Sequence, residues 1–134
     1  DLEWGKYDLP AIRAAEAVIK TIIDDGNYLF YNEALMHNYV WQAMCLTRDG
    51  RFEEAIETLN LSHQYAVAYD RDLEKARVQP IPYPCAILSK LTFDAKELWV
   101  SGTSTLTEDF KEYLGWNGFD ALRQREDFKE LYKL

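Results

Sequence analysis

Apolar residues recur along most of the chain at steps of three and four positions, the spacing that places side chains on one face of an α-helix. The first such segment predicts a helix over about residues 9–24, with Asp8 as its N-cap and a turn over 24–27 at its end. Its apolar positions are Ile12, Ala15, Val18, Ile19, Ile22 and Ile23. The pattern is typical of an amphipathic helix.

Two further helical segments meet at Asp49-Gly50 and predict a helical hairpin. One covers about residues 32–48, and the other begins near Arg51 and continues to about residue 76. Gly50 separates them because a backbone reversal favours a positive φ, which glycine adopts without steric cost. The first helix carries two stripes, with Leu35, Tyr39, Ala43 and Leu46 on one and His37, Trp41, Met44 and Arg48 on the other.

A proline-rich segment over 78–84 ends the hairpin. Three prolines in five residues prevent a regular helix and favour an extended, stiff chain. A helix over about residues 84–93 is predicted to follow, and its apolar positions are Ile87, Leu88 and Leu91. Residues 94–104 place the apolar triplet Leu98-Trp99-Val100 among polar and small residues, and they predict no definite element.

The remainder of the chain predicts three more helical pieces. One helix starts at Thr105 or Thr107, a short piece covers 119–123, and the last helix covers about 125–133. The residues of the last helix expected to face the core are Phe128, Leu131, Tyr132 and Leu134. Because no long stretch alternates apolar and polar residues, the sequence predicts an all-α fold of six to seven helices.

The length of 134 residues suits one domain with one sizeable core, and we expect that domain to cover residues 1–134. The hydrophobic fraction of 48% and the aromatic fraction of 14% favour an ordered globule over disorder. The formal net charge of -8 repels phosphate backbones. We therefore do not expect this chain itself to bind nucleic acid.

The location of the protein is predicted from its apolar runs and its cysteines. No apolar run approaches the length of a membrane span, and no signal-peptide pattern opens the chain, so we expect no membrane association. Cys45 and Cys85 are the only cysteines and lie 40 positions apart. Two reduced, buried thiols in a cytoplasmic protein are the favoured interpretation, with a disulfide or a catalytic thiol as alternatives.

Residues capable of catalysis or metal binding form no recognisable site in the sequence. His37 and His63 have no further ligand three or four positions later in the chain, whereas zinc requires a closed set of nitrogen and sulfur ligands. The segment 70–81 begins like a calcium loop, but Lys75 stands where glycine is needed and Ile81 where an acid is needed. The other acidic clusters fit first helical turns or polar faces. We predict no enzyme, no metal and no cofactor.

One stripe of the hairpin is a candidate surface for a ligand or partner. His37, Trp41, Met44 and Arg48 follow steps of four, three and four, so they share one helical face. The aromatic ring and the thioether suit apolar contact, and the guanidinium suits a carboxylate. The alternative is that Trp41 and Met44 belong to the core and that Arg48 caps the helix.

The hairpin resembles a tetratricopeptide repeat over residues 36–69. The positions that match are Tyr39, Ala43, Gly50, Phe52, Ala55, Leu59 and Ser62. The repeat departs from the pattern at Gln42, where leucine is usual, and at Leu46, where tyrosine is usual. Gly5-Lys6-Tyr7 repeats the glycine, basic, aromatic order of residues 50–52, which predicts the hinge of an earlier hairpin whose first helix is not in this chain.

The segments around the repeat resemble the C-terminal half of xenobiotic-response-element-type helix-turn-helix regulators of Firmicutes. The stretches that carry this resemblance are His63-Gln64-Tyr65-Ala66-Val67-Ala68-Tyr69-Asp70, Tyr83-Pro84-Cys85-Ala86-Ile87-Leu88 and Gly118-Phe119-Asp120-Ala121-Leu122-Arg123-Gln124-Arg125-Glu126-Asp127-Phe128-Lys129-Glu130-Leu131. In that family a tetratricopeptide-like helical domain follows an N-terminal DNA-binding domain. The resemblance covers about residues 5–134, and it implies that the DNA-binding domain is missing from this chain.

The resemblance implies a non-catalytic regulatory, dimerisation or ligand-sensing domain of a transcriptional regulator. Such a domain is expected to form a homodimer and to meet DNA only through the missing domain. The alternative is a stand-alone tetratricopeptide-like scaffold that binds a partner protein or peptide.

Overall fold

The computed structural model describes residues 8–97 and 104–134, and over these ranges the protein is mostly helical. The α-helices are α1 (Leu9–Ile22), α2 (Asn32–Arg48), α3 (Phe52–Val78), α4 (Leu106–Tyr113) and α5 (Glu126–Leu131). Shorter 3₁₀ helices cover Leu29–Tyr31, Ala95–Glu97 and Asn117–Leu122, and strands β1 (Ile81–Pro82) and β2 (Thr92–Phe93) pair antiparallel. The predicted all-α class is confirmed.

Helices α2 and α3 form the hairpin at the centre of the fold. Gly50 has a φ of +77°, as the reversal requires. The Ser62 hydroxyl donates a hydrogen bond of 2.8 Å to the carbonyl of Met36, and these two residues are equally far in sequence from Asp49. The two helices therefore run antiparallel, and the buried Ala43 and Ala55 allow them to pack closely. Helices α1 and α4 and the segment Asn117–Leu122 pack around the hairpin.

The first three predicted helices are confirmed, with boundaries close to the expected ones. The Asp8 carboxylate accepts a hydrogen bond of 3.0 Å from the amide of Ala11 and caps α1 as predicted. Helix α3 extends over 27 residues, slightly past the expected end. The proposed hinge at Gly5 and the apolar triplet at 98–100 lie outside the described residues.

The helix predicted over residues 84–93 is wrong, because this part of the chain forms turns and strand β2. Residues 81 and 82 pair with 93 and 92, and the amide of Tyr83 donates to the carbonyl of Leu91 over 3.1 Å. The preceding prolines hold the chain extended, and the return segment satisfies the backbone by pairing with it. Ile87 and Leu91 are 69% and 51% exposed, so their helical spacing did not mark a core face.

The C-terminal elements pack onto the hairpin through capping contacts and aromatic side chains. Thr105 is the N-cap of α4, and the Asp70 carboxylate from α3 also accepts hydrogen bonds from the first amides of α4. Phe128 and Leu131 are buried as predicted. Tyr132 and Leu134 were expected inward but are 42% and 51% exposed, because α5 ends at Leu131 and the last residues leave the packed face.

Cys45 and Cys85 are buried and do not bond to each other. Among the described helices, none combines the length and the apolar character required to cross a membrane.

Candidate functional site

The predicted stripe on α2 faces the C-terminal elements. The ring nitrogen Nε2 of His37 lies 2.9 Å from the hydroxyl of Tyr113, and the two rings are in contact. Trp41 packs against Trp116 with a centroid distance of 6.3 Å. Both His37 and Trp41 are half-buried. These side chains therefore help to fix α4 and the segment after it on the hairpin.

Met44 is only 3% exposed, so it belongs to the core and not to an open surface. A Cβ atom at Gly118 would lie 2.6 Å from Met44 Cε, so the absence of a side chain at Gly118 gives Met44 its space. Arg48 is exposed, and its Nε lies 3.3 Å from Asp49 Oδ1. The predicted surface is therefore wrong at Met44, which is a core residue. Ligand binding by His37, Trp41 and Arg48 stays a prediction.

A polar network that the sequence did not predict joins α1 to α2. The Gln42 amide donates a hydrogen bond of 2.8 Å to Glu16 Oε1. The Lys20 ammonium donates to Glu16 Oε2 and to the Tyr39 hydroxyl, both over 2.7 Å, and the Tyr39 hydroxyl donates to Glu16. Asn38 extends the network, since it accepts from Gln42 over 2.7 Å and donates to the backbone of α1 over 2.9 Å.

The ionised groups of this network stabilise one another. Burial disfavours the charged form of Glu16, but the hydrogen bonds from Lys20, Tyr39 and Gln42 outweigh it and lower the pKa of the carboxyl. Burial also opposes the charge on Lys20, yet its hydrogen bonds to Glu16, Tyr39 and Tyr65 raise the pKa of the ammonium. The Lys20 ammonium lies 5.2 Å and 5.8 Å from the ring centroids of Tyr39 and Tyr65.

The sequence contained one indication of this network, a departure from the repeat pattern at Gln42. Gln42 stands where a tetratricopeptide repeat usually has leucine, and in the structure it is 4% exposed and bonded to Glu16. A buried amide requires a hydrogen-bond partner. Glu16 and Lys20 are spaced by four on α1 and could have been identified as that partner.

Helix α1 consequently turns Glu16 and Lys20 towards α2 and leaves part of its apolar side exposed. A surface helix normally keeps its charged residues on the solvent side. Among its predicted apolar positions only Ile12 and Ile23 are buried, whereas Val18 is 58% exposed and Ala15 is also exposed. The outward ridge consists of Ala11, Ala15, Val18 and Ile22, at steps of four, three and four. We call this ridge the α1 outer face.

A shallow apolar groove of about 100 Å³ continues the α1 outer face towards the loop between β1 and β2. It is lined by Ile19, Ile22, Ile23, Tyr31 and Leu88. The neighbours of Leu88 in this loop include the exposed Ile87. The residues that define the α1 outer face and line this groove are all uncharged, and the exposed acids Asp8, Asp24 and Asp25 lie beyond the two ends of α1.

Over residues 8–97 and 104–134, no group of three or more histidine, cysteine, aspartate or glutamate side chains is placed to hold a metal ion. No protein-family model, curated protein or solved structure matches the chain. These comparisons therefore indicate no function, and among the surfaces described above the α1 outer face is the most distinctive.

Proposed function

We propose that this chain is the non-catalytic, self-associating domain of a transcriptional regulator of the xenobiotic-response-element type. The regulator assignment is supported by the sequence resemblance described above. A tetratricopeptide-like packing is supported by the antiparallel α2–α3 hairpin, its hinge at Gly50 and its small residues at the helix crossing. DNA contact belongs to a domain that this chain does not contain.

The self-association part of the proposal depends on one observation, the outward apolar side of α1. Val18 projects 58% exposed from a helix on which Glu16 and Lys20 are already engaged with residues of α2. A chain with a net charge of -8 repels a second copy over most of its surface. The α1 outer face lacks carboxylates, so two copies approach there with the least repulsion and remove apolar area from water.

The α1 outer face is complementary to itself when two copies of α1 pack antiparallel around a two-fold axis. With the axis between Ala15 and Val18, the alanine of one copy meets the valine of the other. Ala11 meets Ile22 in the same way, so a small side chain faces a large one along the ridge. The steps of four, three and four are those of a coiled-coil seam.

The ends of the paired helices carry like charge, because the same axis sets Asp25 of one copy opposite Asp8 of the other. The apolar ridge between them must therefore hold the pair together. A stable interface buries roughly 800 Å² per partner, more than one helical ridge provides. The groove and Ile87 enlarge the apolar area towards that requirement.

Sedimentation of this chain at tens of micromolar tests the proposal, and we expect a dimer. Val18→Asp should yield a folded monomer, because the position is exposed within the subunit, and its thermal midpoint should no longer depend on protein concentration. Val67→Asp is the matched control, since Val67 is also an exposed valine in a helix, 45% exposed on α3, and this variant should remain dimeric. A monomeric parent chain, or a dimeric Val18→Asp variant, would contradict self-association through α1.

The reading frame before Asp1 tests the regulator assignment separately. An in-frame helix-turn-helix domain upstream supports it. A start codon near Asp1 contradicts it and favours the stand-alone scaffold that binds a partner protein or peptide. This outcome does not depend on the sedimentation result, so the two parts of the proposal fail independently.

A further inference from the structure

A cleft walled by aromatic rings lies between the 3₁₀ helix Leu29–Tyr31 and the β1–β2 hairpin. It has a volume of about 250 Å³. Its lining consists of Phe30, Tyr31, Tyr83, Leu91, Thr92, Phe93 and Asp94. Tyr83 and Phe93 are only 5% and 2% exposed, so Phe30 and Tyr31 supply most of the accessible ring surface. The space is smaller than a typical ligand pocket of roughly 300–1,000 Å³.

The planes of neighbouring rings are inclined at large angles to one another. Phe30 meets Tyr31 at 81° and Phe93 at 65°, with centroid distances of 5.5 Å and 6.3 Å. Tyr31 meets Tyr83 at 57° over 6.1 Å. The ring surface open to the cleft is therefore mainly that of Phe30 and Tyr31, because Tyr83 and Phe93 are buried. The negative quadrupole of each face attracts a cation placed against it.

The backbone holds these walls in position. The β1–β2 pairing fixes Phe93, and the amide of Phe30 donates a hydrogen bond of 3.3 Å to the Tyr83 hydroxyl. Leu29 has a φ of +50° and is the only residue other than glycine with a positive φ in the described ranges. This conformation buries Leu29, at 5% exposure, and leaves the next side chain, Phe30, 36% exposed at the cleft. A strained residue of this kind persists where the surrounding structure enforces it.

The charge at the cleft also favours a cation. Asp94 is half-buried, and its Oδ1 accepts a hydrogen bond of 3.0 Å from the amide of Lys96. No lysine or arginine is among the lining residues. The net charge of -8 raises the local concentration of cations around the whole molecule. We propose that this cleft binds a small alkylated ammonium ion, with its alkyl groups against the rings and its charge near Asp94.

Calorimetric titration and NMR shifts with tetramethylammonium and choline test the proposal on the intact chain. We expect saturable binding, with shifts concentrated on residues 29–31 and 91–94. The neutral carbon isostere of choline, 3,3-dimethyl-1-butanol, has the same shape without the charge. It should bind roughly three- to tenfold more weakly, in keeping with the strength of cation–π contacts. Equal binding of the alcohol, or no saturable binding of either cation, would overturn the proposal.

Two variants locate the site, and neither test depends on self-association. Phe30→Leu keeps an apolar side chain but removes the ring, and Asp94→Asn keeps an acceptor for the Lys96 amide but removes the charge. Each should weaken cation binding roughly threefold or more. Tyr132→Leu is the control, since Tyr132 is an exposed aromatic that does not line the cleft, and it should bind as the parent does. Unchanged affinity in both test variants would also overturn the proposal.

Discussion

Replacing Gln42 with leucine should destabilise the protein, although leucine is the residue that a tetratricopeptide repeat usually has there. Gln42 is 4% exposed, and its amide donates to Glu16 Oε1 over 2.8 Å and to Asn38 Oδ1 over 2.7 Å. The variant removes the amide group that donates both hydrogen bonds, so Glu16 Oε1 and Asn38 Oδ1 each lose this donor. The pattern of the repeat alone would predict the opposite, a stabilising substitution.

The magnitude follows from the contacts that are lost. A hydrogen bond to a charged group contributes about 1.5–3 kcal/mol. Glu16 keeps its bonds to Lys20 and Tyr39 and its side chain is 17% exposed, so part of this loss is recovered. The leucine side chain also gains apolar burial. We expect a net destabilisation of about 1–2 kcal/mol.

Urea unfolding at neutral pH measures this change, and a double-mutant cycle isolates the pair. The double variant Glu16→Leu/Gln42→Leu replaces both partners by apolar groups, so its loss should be smaller than the sum of the single losses by about 1–2 kcal/mol. Gln64→Leu is the matched control, because Gln64 is exposed on α3, and it should change stability by less than about 0.5 kcal/mol. A Gln42→Leu variant as stable as the parent would refute a polar interface between α1 and α2.

Three further substitutions and one pH series test the remaining contacts. Gly50→Ala should cost about 1 kcal/mol in urea unfolding, because φ is +77° and no atom lies within 4 Å of the new Cβ to add a clash. Asp70→Ala should cost about 2 kcal/mol, since its carboxylate accepts from two amides and one hydroxyl at the start of α4. Gly118→Ala should cost about 1–2 kcal/mol by displacing Met44, and less in a Met44→Ala background. The pKa of Glu16 is lowered by folding, so its contribution is present above the unfolded value of about 4.3 and is lost as the pH falls through the folded value. Glu16→Gln should therefore lose less stability than the parent between pH 7 and pH 3, and equal losses would contradict this assignment.

The helical hairpin and its hinge could be predicted from local sequence because the responsible forces are local. The helical spacing of apolar residues, the N-cap at Asp8 and the positive φ of Gly50 each act within a few residues. The segment 84–93 could not be predicted in this way. Its apolar spacing fits a helix, but the pairing of β2 with the extended chain before it is a contact between separate parts of the sequence.

The candidate surfaces likewise combine features that local sequence could predict with contacts between distant segments that it could not. The stripe at His37, Trp41, Met44 and Arg48 was correctly placed on one helix, yet the sequence could not tell that Gly118 and Trp116 pack against it. The orientation of α1 was also beyond local reasoning, because its apolar residues predict a helix without indicating which side faces the core. Gln42 was the one residue whose departure from the repeat indicated a polar neighbour.

The sequence by itself determined that this protein is all-α, where its three longest helices lie and where the hairpin turns. Those properties follow from side-chain periodicity and backbone preference, which any segment carries with it. Only the tertiary structure decided that α1 leaves Val18 exposed while Glu16 and Lys20 contact α2, and that aromatic residues from separate segments line a cleft that includes Asp94. These features arise where distant segments meet, since burial and hydrogen bonding depend on neighbours that the linear order does not reveal.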